Sequence, residues 1–231
     1  MLSIGKVNRR EIVTSGIAGV AALIGVEAGA QKKWDPDEGV TAPEDLMKEH
    51  GVLNRCLLIY EEGLRRLHEK QEIHPSVFNK TAKLVKLFVE EYHEKNEENH
   101  IFPVFKKAGK LTDLVHTLEA QHKAGRVVTA NIIRLSAPDQ FKSSGNRDKL
   151  VSSVQAFIRM YRPHESREDT VLFPALRTIL NPKQVESLGA KMEEVEQKVL
   201  GHEGFEKSVA QVAEIEKQLG IYDLKQYTPA A

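Results

Sequence analysis

The 231-residue chain carries one eleven-residue pattern twice: residues 93–103 read HEKNEENHIFP, and residues 164–174 read HESREDTVLFP. Each copy begins with His-x-x-x-Glu and ends with Phe-Pro, and the two copies lie about 71 residues apart. One further histidine precedes each copy: His50 precedes the first and His122 the second. These two histidines are 72 residues apart, which matches the spacing of the two copies. The chain therefore contains a duplicated unit, in which a lone histidine is followed by His-x-x-x-Glu.

The segments around these motifs have a helical apolar period from Thr41 onward, and none alternates as a half-buried strand would. Short connections near Pro75, at 108–110 and at 137–146 favour antiparallel neighbours. We therefore predict an all-α protein: an up-down four-helix bundle made of a duplicated helical hairpin. Its helices are predicted at about 42–70, from Pro75 past Glu97, from about Leu111, and at about 147–169. Each Phe-Pro is expected to end or bend its helix, and Pro163 to kink the last one, because proline lacks the N–H that continues a helix.

The His-x-x-x-Glu spacing places an imidazole and a carboxylate on one helix face, about 6 Å apart along the axis. His50 and His122 lie on the inward apolar stripes of the other two helices. Burying such groups without partners would abolish folding. Metal cations are the simplest compensation. The alternative to a metal site is a set of core histidines that are hydrogen-bonded to the buried glutamates. These donors favour iron, manganese or zinc over calcium or magnesium. The candidate metal ligands are His50, His93, Glu97, His122, His164 and Glu168.

With these positions, the segment from Thr41 to about Thr178 resembles the hemerythrin-like (HHE cation-binding) domain. The resemblance implies a non-haem di-iron centre inside the bundle, held by the six side chains. It also implies two iron ions bridged by Glu97, Glu168 and an oxo or hydroxo group. The implied function is binding of a small ligand, dioxygen or nitric oxide. The alternatives are a di-iron oxidoreductase for peroxide or nitric oxide defence, and an iron-handling protein.

One position departs from the oxygen-carrying members of that family. Those proteins have a fifth histidine one turn after the third, and this chain has Arg126 there. The departure implies a nearly symmetric site with two histidines per iron and more open coordination. Open positions favour redox turnover, peroxide chemistry or nitric oxide binding over a pure oxygen-carrier role. We expect Arg126 to lie at the surface rather than to pair with a carboxylate near the site.

Other residues near the motifs receive structural interpretations. Tyr92 and Tyr161 are predicted to be core residues rather than hydrogen-bond donors beside the site. Glu94 and Glu165, which directly follow candidate histidine ligands, are expected on the helix surface rather than in an orienting role. Cys56 lies between inward-facing leucines, so we expect a small, partly buried hydrophobic residue.

Residues 1–30 combine Arg9-Arg10, a short apolar run and Ala-Gly-Ala, and they resemble a twin-arginine signal. This predicts an exported, extracytoplasmic protein. The alternatives are a mobile N-terminal helix in a cytoplasmic protein and an uncleaved membrane anchor, although the apolar run is short for a membrane-spanning helix. Residues 31–40 are predicted to be a linker and 41–180 the bundle, which begins with a capping box at Thr41-Ala42-Pro43-Glu44.

Residues 181–220 are predicted to form a C-terminal helical hairpin, and 221–231 a tail. Asn181-Pro182 is typical of a helix N-cap and first helical position. The hairpin's apolar positions are expected to pack back on the bundle, and a dimerising or partner-binding role is the alternative. These positions are Val195, Val199, Phe205, Val209, Val212, Ile215 and Leu219.

Composition narrows the functional classes. The chain has 33 Lys+Arg and 33 Asp+Glu, so it lacks the basic footprint of a nucleic-acid-binding protein. A charged fraction of 29% is too high for a polytopic membrane protein. The single cysteine excludes an internal disulfide and a multi-cysteine metal site. The expected partner is dioxygen, nitric oxide or peroxide as a small ligand, and a homo-oligomer is possible; neither nucleic-acid binding nor a stable membrane span is expected.

Overall fold

The computed structural model describes residues 41–229, and its regular secondary structure over that range is entirely helical. The all-α prediction is therefore confirmed. The predicted signal segment 1–30 and linker 31–40 lie outside the described residues, as do the last two residues of the predicted tail.

Four long helices form the up-down bundle that the duplicated pattern predicts. Helix α1 is Ala42–His68 and helix α3 is Thr112–Leu135. Helix α2 runs unbroken over 76–108 as Ser76–Leu84, a π-helical Val85–His93, Glu94–Asn96, a π-helical Glu97–Ile101 and Phe102–Ala108. A short helix α4, Pro138–Phe141, precedes helix α5, which consists of Ser144–Arg167, a π-helical Glu168–Leu172 and Phe173–Leu176. Helices α6, Pro182–Val199, and α7, Gly204–Leu219, follow, and then a 3₁₀ turn, Leu224–Tyr227.

The Phe-Pro pairs do not end their helices, so of the two predicted outcomes, ending or bending, the first is wrong. Helix α2 continues past Pro103 to Ala108, and helix α5 continues past Pro174 to Leu176. In both helices a π-helical turn begins at the glutamate of the motif and lies directly before Phe-Pro. A π turn moves each backbone hydrogen bond one residue along the chain, which lets the helix pass a residue that has no N–H to donate.

Predicted caps begin two of the helices. The backbone N–H and the hydroxyl of Thr41 donate to Glu44 Oε2 at 3.0 and 2.7 Å, which completes the start of α1. Asn181 Oδ1 accepts from the backbone N–H of Gln184 at 3.0 Å, and Gln184 Oε1 accepts from the N–H of Asn181 at 2.9 Å. Both ends have the reciprocal hydrogen bonds of a capping box.

A polar layer crosses the bundle between two apolar clusters. One cluster includes Leu53 and Phe157, and the other includes Leu46 and Phe173. On α1, His50 lies between the cluster residues Leu46 and Leu53, and the motif histidine of α5 is flanked in the same way. The clusters close the polar layer from both sides along the bundle axis.

Helices α6 and α7 pack against the first hairpin, contacting α1 and α2. Val212, Ile215 and Leu219 of α7 are buried in the core that includes Phe157. Arg55 of α1 donates Nε–H to Glu216 Oε1 at 2.9 Å and Nη2–H to Oε2 at 2.5 Å, which joins α7 to α1. The remaining predicted apolar positions are partly buried against the same core: Val195, Val199, Phe205 and Val209.

None of the helices between residues 41 and 229 combines the length and the apolar character that crossing a membrane requires.

Candidate metal centre

The structure brings all six candidate ligands into the polar layer, where no side chain is more than 4% exposed. Helices α1, α2, α3 and α5 each supply one histidine, and α2 and α5 also supply one glutamate. Ligand atoms of Glu97, His122, His164 and Glu168 lie within 4.8 Å of one another, as do those of His50, His93 and Glu97. Their assignment as metal ligands stays a prediction at this point.

The four histidines form two pairs, one from each hairpin. In the first histidine pair, His50 Nε2 and His93 Nε2 lie 3.0 Å apart. In the second histidine pair, His122 Nε2 and His164 Nε2 lie 3.2 Å apart. Each pair therefore presents two ring nitrogens to one point.

Both glutamates lie between the histidine pairs. Glu97 Oε2 is 3.7 Å from His93 Nε2 and 3.4 Å from His122 Nε2. Glu168 Oε2 is 3.5 Å from His50 Nε2 and 3.2 Å from His164 Nε2. Each carboxylate thus approaches one histidine of each pair, an arrangement suited to bridging two cations.

The outer nitrogen of every histidine faces an oxygen acceptor. Acceptors in this position fix the tautomer and orientation of a metal-binding imidazole. When Nδ1 carries the proton and donates it to such an acceptor, a neutral ring turns its Nε2 lone pair inward, as metal binding requires. The Nδ1 contacts are His50 to Asp169 Oδ1 at 2.8 Å, His93 to Glu49 Oε2 at 2.6 Å, His122 to Glu98 Oε1 at 3.2 Å and His164 to Gln121 Oε1 at 2.8 Å.

Sequence reasoning missed these four acceptors, although a signal for them exists. Glu49 and Gln121 directly precede the lone histidines, and Glu98 and Asp169 directly follow the motif glutamates. The duplication therefore extends to the outer partners. Adjacent residues on a helix point about 100° apart, so a polar neighbour of a ligand can reach the next helix rather than the centre.

All four carboxylate oxygens of Glu97 and Glu168 are buried without a hydrogen-bond partner. A neutral imidazole that donates through Nδ1 has no proton at Nε2, so in that form it cannot satisfy a carboxylate. An unpartnered buried carboxylate costs several kcal/mol or takes up a proton instead. With all four histidines in that form, the inner surface of the site consists of electron-pair donors, which is the chemistry that binds a cation.

Without a cation, burial governs the protonation of this cluster. Burial, and then the Glu168 carboxylate, raise the pKa of Glu97 well above its usual range. Burial also raises the pKa of Glu168, but His164 and His50 outweigh it and hold the pKa below its usual range. Burial lowers the pKa of His122 to about 4, which keeps its ring neutral. The side chains alone thus favour one protonated and one ionised carboxylate, whereas a cation between them favours two ionised ones.

Arg126 does not lie free at the surface, so the preferred expectation for it was wrong. Its Nη2 donates to Glu94 Oε2 at 2.8 Å and to Glu98 Oε1 at 2.6 Å, and its side chain is 27% exposed.

Glu94 and Glu165 were expected on the surface, but both are buried. Burial raises the pKa of Glu94 to about 8 and the pKa of Glu165 to about 7. Glu165 accepts from Asn54 Nδ2 at 3.1 Å. Hydrogen-bond donors on facing helices compensate for the burial of these two carboxyl groups.

Two tyrosines predicted in the core are buried there, and both also donate hydrogen bonds to glutamates of the polar layer. Tyr92 Oη donates to Glu49 Oε1 at 2.6 Å, and Tyr161 Oη donates to Glu94 Oε1 at 2.7 Å. Gly125 makes room for the second bond, because a Cβ there would lie 2.1 Å from the Tyr161 hydroxyl. The prediction of a core position was right, but the prediction that neither tyrosine is a hydrogen-bond donor beside the site was wrong.

The residues that follow the π turns close the centre. Phe102 stacks on His122 with ring centroids 5.4 Å apart, and Phe173 stacks on His50 at 5.7 Å. The phenylalanine of each motif thus covers the lone histidine of one half.

Cys56, expected to be partly buried, is fully buried, and burial raises its thiol pKa to about 12.

Comparison with known proteins agrees with this geometry. The family model for the hemerythrin HHE cation-binding domain matches residues 41–176, and it matches again over residues 113–224. Uncharacterized proteins of Mycobacterium tuberculosis and Mycobacterium bovis are 42% identical over 234 aligned residues, covering 97% of this chain and 92% of theirs. No solved structure matches the chain significantly. The chain therefore belongs to the hemerythrin HHE cation-binding family.

Proposed function

We propose that the protein holds two iron ions, one at each histidine pair, and binds dioxygen or nitric oxide there. The observation that carries the proposal is the set of four carboxylate oxygens of Glu97 and Glu168, all buried and unpartnered. Cations are the compensation that such oxygens require, and family membership makes a cation the expected occupant.

Two ions fit the donor set better than one. The Nε2 atoms form two separate pairs, and each glutamate lies between a histidine of one pair and a histidine of the other. Each ion would receive two imidazole nitrogens and would share two carboxylates. Imidazole and carboxylate together suit iron, manganese or zinc. Iron is preferred here because carboxylate-rich sites inside helical bundles are typical of di-iron proteins.

Bound iron would supply open coordination positions and an exchangeable electron. The chain's own residues do the remaining work. Asp169, Glu49, Glu98 and Gln121 hold the four imidazole rings in orientation through Nδ1. The stacked phenylalanines cover the lone histidines, and the low exposure of every ligand limits contact with bulk water. This burial favours a diatomic ligand or peroxide over a larger organic substrate.

A second candidate function is an oxidoreductase acting on peroxide or nitric oxide. The observation that favours it is Arg126, which occupies the position of the fifth histidine in oxygen carriers. Its guanidinium pairs with Glu94 and Glu98 and offers no lone pair to a metal. Two histidines per ion then leave more coordination positions open, and open positions favour turnover over storage.

An oxygen-cycling experiment separates the two functions. The full chain is reconstituted with ferrous iron under nitrogen, exposed to oxygen and flushed with nitrogen again, while charge-transfer absorption is followed. A band that appears and then disappears supports reversible binding. Irreversible oxidation, with peroxide consumed over many turnovers, supports the oxidoreductase. The double variant Glu91→Ala with Glu186→Ala serves as a control. It removes two exposed glutamates and should leave either behaviour intact.

We also propose that the protein is exported, on the basis of Arg9-Arg10 and the apolar run after it. Cell fractionation of the producing organism and mass measurement of the mature chain test this proposal. Export predicts an extracytoplasmic protein that the double variant Arg9→Lys with Arg10→Lys retains inside the cell. A full-length protein found in the cytoplasm, unaffected by the variant, would contradict it.

A further inference from the structure

We propose that the two metal positions are unequal, and that the position at His50 and His93 binds a divalent metal more tightly and fills first. The inference rests on the proposed two-metal site and adds an order of loading to it. What carries it is a difference in charge between outer partners that occupy equivalent places in the two halves.

The outer partners obey the internal repeat. Glu49 and Gln121 each precede a lone histidine and each accept from the motif histidine of the same hairpin, at 2.6 and 2.8 Å. Asp169 and Glu98 each follow a motif glutamate and accept from the lone histidine of the other hairpin, at 2.8 and 3.2 Å. Geometry is thus shared between the halves, and only the chemical groups differ.

The first histidine pair faces two carboxylates. Glu49 accepts from His93 Nδ1 at one oxygen and from the Tyr92 hydroxyl at the other, so both of its oxygens have a donor. Asp169 accepts from His50. Within residues 41–229, neither Glu49 nor Asp169 forms an ion pair with a lysine or an arginine.

The second histidine pair faces one amide and one neutralised carboxylate. Gln121 is uncharged and accepts from His164 Nδ1 through its carbonyl oxygen. Glu98 accepts from His122 at a longer distance, and it also pairs with Arg126 at 2.6 Å and Lys95 at 2.5 Å. The repeat places Asn54, a neutral residue, where Arg126 lies in the other half, and Asn54 bonds Glu165 instead.

An anionic acceptor on Nδ1–H pushes electron density into the imidazole ring and makes Nε2 a stronger donor to a cation. Uncompensated negative charge a few ångströms away also attracts a divalent ion directly, and the low exposure of the site limits screening. Both effects favour the first pair. Changes in such outer partners typically alter metal affinity by about 10–100-fold.

The test titrates the metal-free full chain with Co²⁺ under competition by a chromophoric chelator, and counts equivalents and their affinities. Two equivalents separated by about tenfold or more are expected. His93→Ala should remove the tight equivalent, and His164→Ala the weak one. Two equal equivalents in the unmodified chain would overturn the inference but leave the two-metal site standing, whereas absence of any binding would overturn both.

A pair of exchanges between the halves gives a sharper test. Glu49→Gln makes the first pair resemble the second and should weaken the tight equivalent by about tenfold or more. Gln121→Glu makes the second pair resemble the first and should strengthen the weak equivalent. Glu72→Gln, at an exposed position in the connection between α1 and α2, is the charge-matched control and should change neither. If both variants still fold as helical proteins and neither exchange changes the metal affinities, the inference is overturned.

Discussion

The two hairpins of the bundle have the same inner layer and different outer layers. Each supplies one lone histidine, one His-x-x-x-Glu motif, a π turn at the glutamate and a phenylalanine stacked on a histidine. Around that shared layer, the first half has Glu49 and the second has Gln121 and Arg126. Helices α6 and α7 moreover pack on the first hairpin. The groups that would touch the metal are thus duplicated, while the groups that would tune its binding have diverged.

Removing the metal should destabilise both halves of the bundle together, and this should be the largest of the expected effects. Without cations the buried carboxylates of Glu97 and Glu168 lack partners. A ligand present at a thousandfold its Kd stabilises the folded state by about 4 kcal/mol, so chelation should lower the unfolding midpoint by about 10 °C. Differential scanning calorimetry with and without a chelator measures this.

The double variant Glu97→Gln with Glu168→Gln is the control for metal removal. Its neutral amides no longer bury charge, so its stability should equal or exceed that of the metal-free parent, and the chelator should have no effect. A chelator-sensitive double variant would place the stabilising metal elsewhere.

Gly125→Ala should disturb the packing of α3 against α5 in the second half. The added Cβ would lie 2.1 Å from the Tyr161 hydroxyl, which must move away from Glu94. Overpacking of this kind costs about 1–3 kcal/mol in the free energy of unfolding. Gly51→Ala is the matched change in the first half, where nothing lies within 4 Å of the new Cβ, and it should stabilise by about 0.5–1 kcal/mol. Chemical denaturation measures both, and equal effects would contradict the packing described.

Asp169→Asn and Glu98→Gln sharpen the comparison of the outer layers. Asp169 is the anionic partner of His50 without a lysine or arginine pair among residues 41–229, whereas Glu98 is already paired with Arg126 and Lys95. The first change should weaken metal binding by about tenfold, or about 1.4 kcal/mol, and the second by less. Isothermal titration of the metal-free variants with Co²⁺ compares them. A larger loss for Glu98→Gln would reverse the assignment.

The smallest effect is expected where the C-terminal helices meet the first half. Arg55→Lys keeps the charge beside Glu216 but loses the two-pronged hydrogen bond, at a cost of about 0.5–1 kcal/mol. Arg65→Lys, in an exposed ion pair on the same helix, should leave the urea midpoint unchanged. If the two variants were equally stable, the contact between α7 and α1 would contribute nothing measurable.

The helices and the meeting of the six candidate ligands could be predicted because periodicity and the repeat are local properties of the sequence. The continuation of helices past Pro103 and Pro174 could not, since a π turn leaves no simple compositional signal. Arg126, Glu94 and Glu165 were misplaced for another reason: each lies on a flank whose burial depends on the facing helix. Partners such as Tyr161 for Glu94 become visible only after the helices are packed.

The most direct test of the two-metal centre is the number of irons retained per chain after anaerobic reconstitution and desalting. Parallel measurements on the parent and on the double variant Glu97→Gln with Glu168→Gln assign the metal to this layer. We expect about two irons in the parent, one for each histidine pair. We expect essentially none in the variant. A parent that retains no iron, or a variant that retains as much as the parent, would contradict it.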